Sequence, residues 1–486
     1  MHRYKTLPDR TPKDFRYFVV TARGIEALED VPPEGRPEAL TRLIEQEMLG
    51  RRCEHISQRV KELCRLFGFE WESASEPGHM RYLPRAAFML DRARLHAKNV
   101  AQGALQRLAI PFVQVEGVNV VDASAMLMHD YLALIANEPG IYGTSPYRLA
   151  DSDRHLMLRQ TGCLQKFSIC REWTFTKSSL PIAVFEISDS YRREAIRTLQ
   201  LCSRLRRFHL PETHVHTRTT VKAMALSLEL HELLLEEIAA LSDNCQLFIS
   251  ASHAFVTARK KYLRDLAAAT RTPALLKVYP AGRLCQDGVE VDVEYKVRDS
   301  TGCPREFSTF QIDERITRSF GLQHSRRRGH GSDMSTIHVV FSSSLERYLY
   351  FVLDRIASLE AASRRATLPL WLSPIVVRVI PSNSRSTRSA IELADYLATN
   401  GVRADIDDRN CPGEEKVVHA DAELIPYQIL VDVGARTSDV RVRSYESCLV
   451  THRDIDGLIA ALRDEDCARV TGPLAARISQ RPFAES

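Results

Sequence analysis

The segment "RLRRFHLPETHVHT", residues 204–217, carries the features that decide both the fold and the site of this chain. Three histidines, His209, His214 and His216, fall within it directly behind a run of arginines, and "SYRRE" stands shortly upstream. A histidine in a strand is more often a hydrogen-bonded surface or core residue than a metal ligand. These residues alone leave two interpretations open, a metal bound beside a polyanion or a polar strand that faces water.

The neighbouring segments predict an antiparallel sheet around this strand. From about residue 155 to 220, β-branched and aromatic runs such as "KFSICREWTF" and "PIAVFEISDSYRRE" alternate with turns. Farther along, "VKAMALSLELHELLLEEIAAL" predicts a helix, and "VEVDVEYKVRD" and "REFSTFQIDE" predict strands around a turn at Ser300 to Gly302. A last long helix is predicted over "SSLERYLYFVLDRIASLEAA", before a linker and Pro369.

The two ends of the chain differ from this central part. Residues 38–67 have a helical period with Gly50 and Gly68 as stops, which predicts two packed helices. Beyond Pro369, strand, helix and strand alternate, with Gly401 as a helix C-cap, which predicts a separate α/β domain with a mixed sheet. We therefore predict an α+β protein in four parts: a helical or linker segment at 1–55, an antiparallel-sheet domain at 56–365, the α/β domain at 366–475 and a tail at 476–486.

Length and composition exclude several classes of protein. A chain of 486 residues with 44% hydrophobic and 26% charged residues is long enough for roughly two to four globular domains. It has no apolar run of membrane-spanning length and no readable signal peptide, so we expect a cytoplasmic protein. The eleven cysteines lack CxxC spacing and are expected to be mostly reduced thiols. A net charge of +4 means that any nucleic-acid surface is a local patch.

A series of motifs, in order along nearly the whole chain, resembles the class II aminoacyl-tRNA synthetases and, among them, archaeal-type threonyl-tRNA synthetase. The motifs are "EPGHMRYLPR", "LMLRQTGCLQKF", "LPIAVFEISDSYRRE", "STFQIDE" with "RSFGL", "IHVVFSSSLERYLY" and "LPLWLSPIVVRVIP". The resemblance implies that the sheet domain is a class II catalytic domain and that the α/β domain binds an anticodon. It also implies threonine and tRNA as partners, ATP with Mg²⁺ as a substrate, and a homodimer.

The resemblance further implies a zinc ion that binds the substrate. The family's three ligands fall on Cys163, His214 and His338, and this set of a thiolate and two imidazoles suits zinc and leaves one coordination position open. In the family the open position takes the amino group and β-hydroxyl of threonine, so valine is rejected. Glu212 stands where the family has an aspartate that helps to hold the substrate, and Gln311 matches a glutamine near the reacting carboxylate.

The nucleotide-binding residues are implied in the same way. Arg192 of "YRRE" matches the arginine that holds the α-phosphate of ATP, and Glu194 matches the carboxylate on the adenine side. Arg206 corresponds to a second arginine that faces the distal phosphates, and Arg347 to one that stacks on adenine and touches phosphate. We therefore predict Arg192, Arg347 and Gln311 as catalytic residues; the planar fork of arginine suits bidentate contact with phosphate.

Several positions depart from the family pattern. Val118 replaces the proline that ends the first class II motif at the dimer interface, and Ser343 replaces a glycine of the third motif. The loop "AIRTLQLCSRL" lacks the usual glycines. Glu414 and Glu415 stand where cations are usual in the anticodon-binding domain, which predicts weakened tRNA binding, although Arg409 and Lys416 remain.

About fifty residues precede the catalytic domain, too few for the N-terminal editing domain of archaeal-type relatives. We thus predict a threonyl-tRNA synthetase without its own editing domain. Two alternatives stay open from the sequence, a paralogue that activates a threonine-like β-hydroxy amino acid for a resistance or small-molecule pathway, and a non-charging regulatory relative.

Overall fold

The computed structural model divides into two compact units, the first formed from Met1–Ile56, Ser75–His79 and His96–Tyr348 and the second from Ser57–Ala74, Met80–Leu95 and Leu349–Ser486. The predicted tail at 476–486 lies outside the residues that the structure describes. Those residues are 15–51, 55–71, 76–122, 146–149, 156–283, 285, 289–324, 332–434 and 439–465.

The strands, in chain order, are β1 Arg16–Val20, β2 Ile25–Ala27, β3 Phe69–Glu70, β4 Arg81–Tyr82, β5 Phe112–Gln114, β6 Val120–Asp122, β7 Leu156–Leu158, β8 Ile182–Tyr191, β9 Arg207–Thr217, β10 Cys245–Ser252, β11 Ala274–Tyr279, β12 Val291–Arg298, β13 Pro304–Asp313, β14 Gln323–His324, β15 Ser332–Asp333, β16 Ser335–Val340, β17 Val377–Pro381, β18 Ala404–Ile406, β19 Tyr427–Val431, β20 Val440–Ser444 and β21 Val450–Arg453. The α-helices are Glu38–Glu47, Gln58–Phe67, Pro84–Arg107, Cys163–Arg171, Thr220–Ala239, His253–Ala258, Lys260–Thr270, Arg315–Ser319, Leu345–Ala361, Thr387–Thr399, Gly413–Ala422 and Ile455–Glu465.

The first unit is built on a ten-stranded sheet in the order β2-β1-β11-β10-β12-β13-β16-β9-β8-β5. The pairs β10–β11 and β5–β8 are parallel and the other pairs are antiparallel, as the alternating runs predicted. Residues 207–217 of the segment "RLRRFHLPETHVHT" form β9, between β8 and β16. Its residues from Pro211 to Thr217 are all buried, so this is an interior strand and does not face water.

One predicted strand is a helix. The run "KFSICREWTF" was expected to join the sheet, but Cys163–Arg171 is helical. The buried residues of this helix are Cys163, Lys166, Phe167 and Cys170, at positions i, i+3, i+4 and i+7, and therefore lie on one helical face. Aromatic and β-branched content favoured a strand locally, whereas burial of this face against the core of the unit favours the helix.

The N-terminal segment contributes both kinds of element. The predicted helices are present as Glu38–Glu47 and Gln58–Phe67, and Gly68 caps the second with a φ of 81°, a conformation that glycine adopts without strain. Two strands, β1 and β2, precede them and pair at the end of the ten-stranded sheet. Their sequence, "RYFVV" and "IEA", is short enough that periodicity did not reveal it.

The second unit contains a five-stranded sheet in the order β18-β17-β19-β20-β21. The strands β18, β17 and β19 are parallel and the remaining pairs are antiparallel, which confirms the predicted mixed sheet. In its core Arg378, 0% exposed, makes a two-pronged ion pair with Asp405 at 3.0 and 2.8 Å. Among the described helices none is long and apolar enough to cross a membrane.

Candidate active site

The pairing of three strands places the predicted metal and substrate residues in one row. His214 on β9 lies directly opposite His338 on β16, and His338 lies opposite Gln311 on β13. Residues that face each other across antiparallel strands point to the same side of the sheet. The rings of His214 and His338 are 4.7 Å apart, centroid to centroid. The sheet register therefore brings together residues that are far apart in the chain.

Cys163 completes a set of three candidate metal ligands. It begins the helix Cys163–Arg171, and its Sγ is 3.4 Å from Nδ1 of His338. One ligand atom from each of Cys163, His214 and His338 can be chosen such that all lie within 4.8 Å of one another. Within the described part of the chain, neither ring nitrogen of His214 has a hydrogen-bond partner, nor has Nε2 of His338. Buried polar atoms normally have partners, so one nitrogen of each ring is available to a bound ion.

Burial keeps both histidines in the form that binds metals. It lowers the pKa of His338 to about 4 and the pKa of His214 well below its usual value. The imidazoles are thus neutral near pH 7, and a neutral ring offers a lone pair to a cation. The donor set of one sulfur and two nitrogens is one that zinc prefers, and it leaves a fourth position for another ligand.

His209 and His216, the other two histidines of residues 204–217, have structural partners instead. His216 Nδ1 is 2.8 Å from the Thr336 hydroxyl, and its Nε2 is 3.4 Å from Cys170 Sγ. His209 Nδ1 is 2.6 Å from the buried Glu346 carboxylate. The three histidines thus have three environments, and only His214 belongs to the candidate metal site.

Glu212 lies beside the three candidate ligands and is completely buried. Its carboxylate accepts hydrogen bonds from the Thr161 hydroxyl, from the backbone N–H of Gly162 at 2.9 Å and from the Lys166 ammonium at 2.8 Å. Burial, the largest single effect, raises the pKa of Glu212, but the charges of Lys166 and His338 together with the hydrogen bonds from Lys166 and Thr161 outweigh it and lower the pKa to about 2. Glu212 is therefore a carboxylate with a fixed orientation.

Sequence reasoning missed the charged groups that surround Glu212. Lys166 also lies 3.6 Å from Glu186, and Arg159 contacts Glu186 at 2.6 Å. All four side chains are at most 5% exposed. One signal was available, since Lys166 follows Cys163 by three positions and so shares its helical face. The proximity of Glu186 needed the strand register, in which it stands opposite Glu212.

Two predicted arginines of the nucleotide site lie at the connection between β8 and β9, Arg192 just after β8 and Arg347 on the helix Leu345–Ala361, which contacts that connection. Arg192 Nε donates to the carbonyl of Gln160 at 3.3 Å, and its guanidinium carbon lies 5.0 Å from the centre of the Phe208 ring. Arg347 donates to the carbonyls of Ser203 and Glu306, both at 3.1 Å. These carbonyls fix the orientation of each guanidinium.

Positive charge is concentrated around Arg347. Burial lowers the pKa of its guanidinium, and the Glu306 carboxylate opposes that change. Three further arginines add to the lowering, namely Arg192, Arg204 and Arg305. Three of these arginines pair with carboxylates, Arg204 with Glu194, Arg305 with Asp299 and Arg347 with Glu306. Phosphates of a polyanion would add to these ion pairs or replace them. Arg204 is a member that the sequence did not single out.

The remaining two nucleotide residues lie on the edge of this group. The Glu194 carboxylate forms an ion pair with Arg204 at 3.0 Å and accepts a hydrogen bond from the Thr198 hydroxyl. Arg206 donates from Nε to the carbonyl of Glu194 at 2.9 Å, and its other end pairs with Glu76. Arg206 therefore connects the "EPGHMRYLPR" segment to the hairpin, whereas Arg192 and Arg347 lie within the cationic group.

Ser343 occupies a backbone conformation that favours glycine. Its φ is 64°, it is 3% exposed, and its hydroxyl has no hydrogen-bond partner among the described residues. Both the left-handed conformation and the unpaired hydroxyl cost free energy. The departure from glycine that the sequence indicated thus coincides with local strain.

Replacing Ser343 by glycine is expected to stabilise the protein by about 1 kcal/mol, after allowance for the greater freedom of glycine in the unfolded chain. Ser343→Ala is the matched control, because it removes the hydroxyl and keeps the strained Cβ. Thermal unfolding of the three proteins measures the effect. A lower midpoint for Ser343→Gly than for the wild type would contradict the assignment of strain.

Comparison with known proteins identifies the family. Residues 376–465 match the family described as "Anticodon binding domain". The threonine–tRNA ligase of Thermofilum pendens is 33% identical over 464 residues, which cover 94% of this chain and 73% of the relative. That of Hyperthermus butylicus is 33% identical over 480 residues, covering 96% and 73%. The chain belongs to the threonine–tRNA ligase family. The predicted resemblance is confirmed.

Solved structures share the fold of this chain. The RNA-binding domain of threonyl-tRNA synthetase from Cryptosporidium parvum Iowa II matches with a TM-score of 0.69 and 16% identity, covering 86% of this chain and 99% of that one. Prolyl-tRNA synthetase from Cryptosporidium parvum matches with a TM-score of 0.58 and 14% identity, over 87% and 79%. The predicted class II synthetase fold, with a smaller mixed-sheet domain after it, is confirmed.

The anticodon-binding domain of this ligase-family chain has exposed acidic side chains at the two positions where cations are usual in the family. Glu414 and Glu415 are exposed in the first turn of the helix Gly413–Ala422, where they stabilise the positive end of the helix dipole. Lys416 and Arg409, the two nearby cations, are less exposed to solvent than these two glutamates. Lys416 is 3% exposed, and Arg409 makes a two-pronged ion pair with Asp407 at 2.8 and 2.6 Å.

Proposed function

We propose that this chain catalyses the ATP-dependent attachment of threonine to tRNA. The observation that carries this proposal is the row of His214, His338 and Gln311, with Cys163 beside it, in a chain that is 33% identical to threonine–tRNA ligases over most of its length. The predicted alternatives, a pathway paralogue and a regulatory relative, have no support from these comparisons.

The reaction has two steps. An oxygen of the threonine carboxylate attacks the α-phosphorus of ATP, a P–O bond forms, and the bond to the β-phosphate breaks to release pyrophosphate. A hydroxyl of the terminal ribose of tRNA then attacks the carbonyl carbon of threonyl-adenylate, releasing AMP, and its proton leaves to the phosphate oxygen or to water. Both steps need positioning and charge stabilisation more than they need covalent participation by the protein.

Side chains of the first unit supply these needs. Arg192 and Arg347 are oriented by backbone carbonyls. Arg192 would contact the α-phosphate, where negative charge develops in the first step, and Arg347 would stack on adenine and contact phosphate. Gln311, next to His338 in the row, would orient the threonine carboxylate. Glu194 and Arg206 would contact the adenine side and the distal phosphates of ATP, and Mg²⁺ would accompany the nucleotide.

Cys163, His214 and His338 would hold a zinc ion. When bound, zinc supplies a Lewis-acidic position that takes the amino group and β-hydroxyl of threonine. Glu212 lies on the same side and would accept a hydrogen bond from the substrate amine. Valine, which has a methyl group in place of the hydroxyl, would leave this polar site unsatisfied.

The proposal includes a homodimer. Val118 and Val120, in the segment of the first class II motif, are 59% and 44% exposed. Apolar side chains that face water in one chain are suited to burial against a second copy.

ATP–pyrophosphate exchange across a panel of amino acids, with and without tRNA, tests the function. Threonine should be the best substrate, serine should be activated detectably because it has the hydroxyl, and valine should be almost inert. Transfer of threonine to tRNA should follow. Efficient activation of another β-hydroxy amino acid, or adenylation without transfer, would overturn the proposal.

The acidic pair of the second unit should weaken tRNA binding and make it strongly dependent on salt. Replacing both Glu414 and Glu415 by lysine is expected to tighten tRNA binding by roughly 1 kcal/mol or more at low salt, through new phosphate contacts. Equilibrium binding at several salt concentrations measures both affinity and its slope. Replacing Glu392, exposed on the preceding helix Thr387–Thr399, by lysine is a single-site control with the same charge change per residue. An unchanged salt slope in the Glu414/Glu415 variant would show that this surface does not meet tRNA.

A further inference from the structure

Glu212 is placed where it could become a metal ligand. It precedes His214 by two residues on β9, so both side chains point to the same side of the sheet. Its Oε1 lies 4.0 Å from Sγ of Cys163, one of the three candidate ligands. Carboxylate oxygens are common zinc ligands, and a fourth protein ligand would close the coordination sphere. A fourth protein ligand would compete with the substrate for positions on the metal.

Three donors hold the Glu212 carboxylate in its observed orientation. The Lys166 ammonium and the Gly162 N–H both donate to Oε2, at 2.8 and 2.9 Å, while the Thr161 hydroxyl donates to Oε1. All three donors lie within the segment 161–166, at the start of the helix that carries Cys163. Of the three, only Lys166 brings a full charge, so it provides the strongest attraction.

The charge balance of the cluster assigns Lys166 to Glu212. Glu186 has its own cation, Arg159 at 2.6 Å, and also accepts from the Gly117 N–H at 2.9 Å. Lys166 is 3.6 Å from Glu186 but 2.8 Å from Glu212. A buried ammonium and a buried carboxylate each require a partner, because desolvation of an unpaired charge is costly. Removal of Lys166 would therefore leave Glu212 as the carboxylate in need of a new cation.

Gly162 makes this close arrangement possible. A Cβ at this position would lie 2.5 Å from Glu212 Oε2, 2.8 Å from Glu186 Oε2 and 2.9 Å from Lys166 Nζ. Any other residue would separate the three charged groups. The requirement concerns space, since the Gly162 backbone has a φ of −79° that every residue adopts.

We propose that Lys166 is a positioning residue that holds Glu212 out of the coordination sphere of the metal, so that the fourth position stays open for the amino acid. The inference rests on the function proposed above and assigns a role within it to a residue that does not contact the reacting atoms. In the absence of Lys166, the nearest uncompensated positive charge for Glu212 is the metal ion. Glu212 would then become a fourth protein ligand and compete with threonine.

Cobalt substitution tests this directly. Co²⁺ occupies sites of nitrogen and sulfur ligands like those of zinc, and its visible absorption reports the number and type of ligands. In the wild-type protein, threonine should change the Co²⁺ spectrum. In Lys166→Met the spectrum without amino acid should already differ from that of the wild type, and threonine should no longer change it. The metal content should stay near that of the wild type, while threonine binding weakens by about tenfold or more.

Two further variants separate positioning from other roles. Glu186→Gln is the matched control, because it removes the other carboxylate near Lys166 and should leave the spectral response to threonine intact. Lys166→Met/Glu212→Gln removes the competing carboxylate and should return the Co²⁺ spectrum without amino acid to that of the wild type. The KM for threonine in pyrophosphate exchange should rise in Lys166→Met, with the KM for ATP unchanged.

The outcomes distinguish this inference from the function on which it rests. A wild-type spectrum and wild-type threonine affinity in Lys166→Met would overturn the role of Lys166 and leave the metal site standing. A spectrum of the double variant without amino acid that stays like that of Lys166→Met would also overturn it. A wild-type protein that binds neither Zn²⁺ nor Co²⁺ would overturn the metal site itself. If Lys166→Met does not fold, Glu212→Gln decides the matter, because a changed Co²⁺ spectrum without amino acid would mean that Glu212 is already a ligand.

Discussion

Replacing Arg347 by alanine is expected to lower the rate of threonine-dependent ATP–pyrophosphate exchange by about 10²–10³-fold. The guanidinium is oriented by the carbonyls of Ser203 and Glu306 and lies in a cationic group, so it is positioned before any charge develops on the phosphate. Removing it takes away stabilisation that is greatest in the transition state. Binding of threonine alone should change little, because Arg347 lies outside the row of candidate substrate residues.

Arg192→Ala should have an effect of the same order, since Arg192 is the second oriented arginine of this group. Arg355 is the control; it is exposed and lies on the same helix as Arg347, Leu345–Ala361, so Arg355→Ala tests for general effects of losing an arginine there. Exchange rates and threonine binding should be measured on all three variants. Rates within a factor of about three of the wild type for Arg347→Ala would rule out its role at the phosphate.

The fold could be predicted where local patterns agree with tertiary packing. Alternation and turns indicated β9, β12 and β13, and the long apolar periods indicated Thr220–Ala239 and Leu345–Ala361. The helix Cys163–Arg171 was missed because its aromatic residues favour a strand when considered one at a time. Its buried face meets the core around Phe175, Val184 and Phe320, and sequence does not show that contact.

The site was predictable only in part for a related reason. Resemblance identified the motif residues one by one, but the contacts of Lys166 depend on the register of β8 and β9, which sets Glu186 opposite Glu212. A lysine in a sequence reads as a solvated charge, and here it is completely buried. The same limit applies to Lys416, which the sequence suggested as an RNA-binding cation and which is buried in the second unit. Charge can be counted in a sequence, whereas exposure requires the fold.

Replacing Cys163 by alanine should remove the metal from a protein that is otherwise folded. We expect about one zinc ion per chain in the wild type and a loss of most of it in Cys163→Ala, because two buried imidazoles alone bind zinc far more weakly than with a thiolate. Threonine-dependent exchange should fall on the order of 10²-fold or more, since the metal would orient the amine and hydroxyl. The fold should be kept, because the change removes one sulfur atom from a side of the core that Phe167 and Cys170 also fill.

Cys170→Ala provides the matched control for this loss. Cys170 lies on the same helix and in the same core, fully buried, but its sulfur is next to His216, outside the candidate ligand set. Cys170→Ala should therefore lower the stability of the protein through lost packing and leave its zinc content unchanged. Metal analysis after dialysis, together with circular dichroism, separates the two effects. Full zinc occupancy in Cys163→Ala, or an equal loss of zinc from both variants, would contradict the ligand set, because only a direct bond to the metal makes one buried thiol indispensable and leaves its neighbour replaceable.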